Sequence, residues 1–111
     1  MTPRLSRKLL LEGRLAMPDG SGGRASAWEV LGTHWAMVEA RTGRFEAGEA
    51  FARARVPYKI TLRSVAPDAP SRPEPGQRFV EGNRIYHIRA VADEATDARY
   101  LVCFADEEVA V

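Results

Sequence analysis

A chain of 111 residues, 45% apolar and 28% charged, is long enough to bury one core and too short to divide readily into two. Sixteen Lys and Arg against fifteen Asp and Glu leave a formal charge of +1, which excludes a polybasic coat or an acidic-tail protein. Cys103 is the single cysteine, so a disulfide framework and a thiol-rich metal site are excluded too. The run Leu9-Leu10-Leu11 is closed by Glu12 and Arg14. It falls short of the roughly 7–15 apolar residues of a signal-peptide core and the roughly 20 of a membrane span. The expectation at this level is a soluble, single-domain protein (1–111) of a reducing compartment.

Taken in chain order, Leu9, Leu11 and Leu15 alternate with Lys8, Glu12 and Arg14, which predicts a half-buried strand over about residues 7–16. The Pro18–Gly23 stretch is rich in turn residues and reverses the chain. Residues 27–30 resume extended structure, Gly32 is read as a break, and residues 33–39 form a further strand. Trp28 and Trp35 are large enough to seed a core.

Residues 40–55 differ: Thr42 is their only β-branched residue, and Gly43 and Gly48 each weaken a helix by about 1 kcal/mol relative to Ala. They are read as a long insertion loop with at most a short helix, mobile in the isolated chain. The apolar side chains there, chiefly Phe45 and Phe51, do not offset ordering it at about 1–2 kcal/mol per residue.

Val56, Tyr58, Ile60 and Leu62 alternate with Lys59, Thr61 and Arg63, the cleanest strand pattern present, with Pro57 placing its start at an edge. Residues 66–76 hold four of the seven prolines and predict a stiff, irregular connection. Residues 78–81 and 84–91 form a hairpin about Gly82-Asn83, read as a type I′ turn. Residues 99–104 are the last strand, followed by Asp106-Glu107-Glu108. Six or seven short strands predict an all-β fold, a small antiparallel barrel or sandwich. The core candidates are Leu9, Leu11, Trp28, Trp35, Tyr58, Ile60, Ile88 and Val102.

Sites of chemistry are scarce. His34 and His87 each sit inside a strand and belong to no metal-ligand spacing. Cys103, between Val102 and Phe104, reads as a small buried hydrophobe. Gly20-Ser21-Gly22-Gly23 lacks the following Lys and the helix that a phosphate loop needs. No catalytic residue, cofactor or metal is therefore expected. Charge is uneven: residues 1–64 carry a net +5 and residues 65–111 a net −4. Such polarity can orient head-to-tail subunit packing or turn one face toward a polyanion, the alternative being a merely solvated surface.

Together these features resemble the phage head–tail joining family, the head-closure or stopper proteins of long-tailed phages and gene transfer particles. The resemblance runs from the strand Arg7–Leu15 and the Asp19-Gly20-Ser21-Gly22-Gly23 turn through Trp28 and Trp35-Ala36-Met37-Val38-Glu39. It continues through Thr42-Gly43-Arg44-Phe45-Glu46 and Tyr58-Lys59-Ile60-Thr61-Leu62-Arg63 to Gly76-Gln77-Arg78-Phe79, Asn83–Ile88 and Leu101-Val102-Cys103.

The resemblance implies a non-enzymatic β-barrel that forms a homo-oligomeric ring in the virion neck and is made in the bacterial host cytoplasm. The ring would sit below a portal-bound adaptor and above the tail terminator or tail tube, closing the channel on the double-stranded DNA end without touching membrane. Arg41, Arg44, Arg53 and Arg55 are the channel-facing candidates, with non-specific phosphate contact. The rivals are a tail terminator, an OB- or SH3-like nucleic-acid-binding module and, last, a hydrolase.

Overall fold

The computed structural model describes residues 2–18, 24–41, 44–45 and 53–110. They form seven strands: β1 (Arg7–Pro18), β2 (Arg24–Ala40), β3 (Arg44–Phe45), β4 (Arg53–Arg63), β5 (Arg78–Glu81), β6 (Arg84–Asp93) and β7 (Tyr100–Ala110). No helix occurs among the described residues, and the fold is all-β. The strand order is β2-β1-β5-β6-β7-β4, and β4 pairs back onto β2, so six antiparallel strands close into a ring; β3 lies on β4 outside it. Closure removes the free edges that an open sheet of this size would expose.

Alternation decides what fills the ring. Leu9 and Leu11 of β1, Ile60 and Leu62 of β4, Phe79, Tyr86, Leu101 and Cys103 have no exposed surface, and Ile88 has 2%. Tyr58 packs against them. Val102 is also buried, at 4%, although it stands opposite Thr61 on the outer side of the wall. Trp35 is a correction to the expected core: it stands on the outer face of β2, opposite Lys8, and is 55% exposed. Trp28 is half-buried on that same face, beneath the Arg78 guanidinium 4.0 Å from its ring centroid.

Gly32 does not break β2, which runs unbroken for 17 residues. The register shifts instead, because Leu11 faces Gly32 while Glu12 faces Val30, leaving Leu31 as the extra residue of a bulge. A Cβ on Gly32 would lie 2.9 Å from Ser71 Cβ, so the close approach of the 64–77 connection is what the glycine permits. That connection is irregular, as expected, and internally bonded. Turns bonded from Ala69 N to Ala66 O, Arg72 N to Ala69 O and Gln77 N to Glu74 O fold it over one end of the barrel, and Pro73 is fully buried. The Gly82-Asn83 turn is likewise type II′ in pattern rather than I′: Gly82 has φ 61°, and no non-glycine residue has positive φ among the described residues.

Two strand arms outrun the barrel. The β1–β2 ladder continues to Pro18↔Arg24, whereas β5 leaves β1 at Glu12. At the other end of β2, the β4–β7 ladder continues to Arg53↔Ala110, past the last β6–β7 pair, Tyr86↔Glu107. β3 flanks β4 there, through Arg44↔Arg55 and Phe45↔Ala54. The expected insertion loop at 40–55 is thus, where described, the two sides of a β-hairpin; residues 42–43 and 46–52 lie outside the described residues. Pro57 sits inside β4 rather than at its edge. Its carbonyl accepts the Arg41 N–H at 2.8 Å, but it has no N–H to return. The β2 ladder lapses at that point and resumes as β3 with the register moved by one. Seventeen residues of β2 at about 3.3 Å each span roughly the 51 Å long axis. The radius of gyration, 15.4 Å, correspondingly exceeds the approximately 13 Å of a compact chain this long.

Candidate functional site

The four arginines singled out in the sequence all fall on the second arm. Arg41 follows β2, with its guanidinium 5.3 Å from the Phe104 ring centroid. Arg44 is in β3, and Arg53 and Arg55 open β4, with Arg44 and Arg55 directly cross-strand. Strand pairing therefore gathers them along one ribbon, as a string of cations on a loop would not be.

At the base of this arm the barrel interior ends in a polar network that alternation points inward. Arg7 (β1) donates to both oxygens of Glu81 (β5), through Nε at 2.7 Å and through Nη2. It also reaches the Tyr86 hydroxyl at 3.3 Å. Arg84 (β6) donates to both oxygens of Glu107 (β7), at 2.8 and 3.0 Å, and to the Tyr58 hydroxyl at 3.0 Å. Tyr58 in turn donates to Glu107 at 3.1 Å and meets Tyr86 edge-on, with ring centroids 5.1 Å apart. Two guanidinium–carboxylate pairs and two tyrosines so tie β1, β4, β5, β6 and β7 together.

The electrostatics follow from these contacts. The hydrogen bond from Arg7 holds the Glu81 carboxyl below its usual range, and that from Arg84 does the same to Glu107. Both guanidinium pKa values are raised by the hydrogen bonds that the groups donate to these carboxylates. Burial raises both tyrosines. Every group is thereby held in its resting protonation state, which suits a clasp and not a proton-transfer site.

Composition missed this network because it counts Arg and Glu as surface. The available signal was that Glu81, Arg84 and Glu107 occupy inward positions of otherwise apolar alternations.

His34 donates from Nε2 to the Ser71 carbonyl at 2.7 Å and meets the Phe79 ring edge-on. Burial lowers its pKa. Burial also pushes the Cys103 thiol up to about 12. No group of three or more His, Cys, Asp or Glu able to hold a metal occurs among the described residues.

The sequence pattern of a family described as phage head completion protein matches residues 1–108. Among solved structures, a chain in the virion of a native gene transfer agent particle superposes with a TM-score of 0.86 at 44% identity, covering 99% of this chain and 100% of that one. A search of curated protein sequences gave no match.

Proposed function

The chain belongs to the phage head completion protein family and is a virion structural protein, and from that premise we propose that it closes the DNA exit channel as a multi-copy ring in the neck. The ring sits below a portal-bound adaptor and presents the surface on which the tail terminator or tail tube docks. Its role is mechanical, without catalysis.

The observation that carries this reading is the pair of strand arms leaving opposite ends of a barrel that is already closed without them. A closed sheet satisfies its own backbone; arms that continue past closure offer new edges to neighbours. Heterologous contacts of this kind generate closed rings. In this reading the β3–β4 hairpin, with Arg41, Arg44, Arg53 and Arg55, projects toward the lumen and meets the end of the packaged duplex through non-specific, salt-sensitive phosphate contact.

Shortening residues 46–50 in particles tests the plug. Filled heads are expected to leak DNA while the ring stays in place. Unchanged DNA retention, with the ring visible by electron cryomicroscopy, overturns the role of the hairpin.

A further inference from the structure

Residues 2–6 precede β1 and lie across the outside of the barrel. Pro3 and Leu5 are half-buried while Thr2, Arg4 and Ser6 are exposed, so the segment is extended with one face down. It crosses the seam that closes the ring, the five β2–β4 pairs from Ala36↔Leu62 to Ala40↔Tyr58. Thr2, Pro3 and Leu5 form one wall of a cleft of about 520 Å³, with Thr33 and Trp35 of β2 and Arg63 of β4 opposite. Pro3 also lines a second cleft of about 240 Å³, together with Met37 and Thr61 of the seam. Trp35, Met37, Thr61 and Arg63 point outward, because their neighbours Ala36, Ile60 and Leu62 are the fully buried interior.

The segment fits this seat loosely in its own chain. The β1 ladder begins only at Arg7↔Ala36, and no hydrogen bond or ion pair holds residues 2–6 among the described residues. Open space remains on both sides of Pro3. Thr61, 2% exposed, keeps a hydroxyl without a partner among the described residues, and it lines the smaller cleft. That cleft also carries Glu39, Glu94 and Asp97 against Lys59, and among the described residues only Asp97 is taken up by a salt bridge, to Arg99. Arg4, the one charged side chain of residues 2–6, complements this acidity yet pairs with none of it in its own chain. Two half-buried side chains set against the lost freedom of five residues leave such a segment exchanging between seated and released.

We propose that in the assembled neck residues 2–5 leave their own barrel and seat in the same clefts of the next copy, strapping the ring together. The proposal rests on the ring reading and names the element that neighbours exchange. The occupant is defined because the seat already holds this segment, and the same residues of a second copy make the same contacts. Exchange of an identical element is a low-cost route to association, since each contact given up in one chain is regained in another. Four residues from Arg7 to Pro3 reach at most about 14 Å. Two copies must therefore meet with the β1 start of one beside the β2–β4 seam of the other. Handing the segment on in one direction is a heterologous contact that closes by rotation, whereas reciprocal exchange stops at a dimer.

Short bismaleimide cross-linking of the full-length chain tests the exchange, using Thr2→Cys together with Thr33→Cys. Both residues are exposed and line the larger cleft, and the buried Cys103 serves as the silent background. In the isolated chain the expected product is a bridge within one chain, read by intact mass. In assembled necks it is a ladder of multimers, with neither single variant cross-linking. Bridges confined to single chains in intact rings overturn the proposal while leaving the ring reading in place. A product that stops at dimers shows reciprocal exchange and overturns it too. Absence of any ring in wild-type necks removes the ring reading itself. As an independent measure, deletion of residues 2–5 is expected to weaken assembly roughly tenfold or more while leaving the melting temperature of the isolated chain nearly unchanged. Undiminished assembly of that variant contradicts the proposal.

Discussion

Cys103 lies between Ile60 and Val91 on the barrel interior, where β7 faces β4 and β6, and has no exposed surface. A thiol whose pKa is pushed up to about 12 by burial supplies almost no thiolate near neutrality. Iodoacetamide at pH 8 is therefore expected to leave the native chain unmodified and to label it fully in denaturant, as mass spectrometry would read directly. Rapid labelling of the native chain would mean that β7 opens. Phe79 sits nearby with no exposed surface, its ring against the edge of His34. Phe79→Ala removes a fully buried aromatic that the closed ring has little freedom to collapse around. A loss of about 3–5 kcal/mol in urea unfolding is expected. A loss below about 1 kcal/mol would show that the interior repacks.

The five strands joined by the polar clasp have an acid-sensitive bond to one another. Glu81 and Glu107 are both held below the unfolded carboxylate value of about 4.3. Their contribution is present in full above that value and is lost as pH falls through the folded values. His34 adds an earlier step of the same sign. Burial lowers its pKa, so protonation of the unfolded chain begins to cost stability as pH falls through about 6.5. Guanidinium midpoints measured from pH 7.5 to 3 are expected to fall in two stages, and Glu81→Gln with Glu107→Gln is expected to flatten only the lower one. Arg7 and Arg84 are partly exposed, which keeps the lower stage modest.

Much of this architecture was legible in the sequence, because period-two alternation in Tyr58–Leu62 and Phe79–Val80 is a direct record of one face turned to the core. What was not legible came from contacts distant in sequence. Trp35 looks like core until β2 bends about the Leu31 bulge, which aligns the outer positions Val30 and Trp35 opposite Glu12 and Lys8. The Pro-rich 66–76 stretch reads as stiff and irregular, and nothing in it announces that Pro73 is fully buried or that Ser71 packs against Gly32. Asp106-Glu107-Glu108 looks like a solvated terminus, yet β7 runs through it because Arg84 and Arg89 take up Glu107 and Asp106. The clasp was hidden for the same reason, since each inward charge is tolerable only beside a partner from another strand.

At the scale of the whole molecule, the barrel and its arms separate two demands. Leu9, Leu11, Ile60, Leu62, Phe79 and Leu101, which supply the buried apolar surface, all lie within strands of the closed ring. In the second arm β4 pairs with β3 on one side and, on the other, with the end of β7, where Glu108, Val109 and Ala110 stand opposite Arg55, Ala54 and Arg53. A chain ending after Glu107 keeps every ring strand and both carboxylates of the clasp while stripping one side of the β4 extension. Its melting temperature is expected to stay within about 4–8 °C of the intact chain, the shift that roughly 1 kcal/mol produces in a domain this size. Its incorporation into virions, scored as the fraction of purified particles carrying a tail, is expected to collapse. A truncated chain that unfolds would place the arm within the folding core, and one that still joins heads to tails at the normal fraction would show that the arm does no work in assembly. The separation of barrel from arm predicts neither, because the ring of strands closes before β7 reaches Glu108.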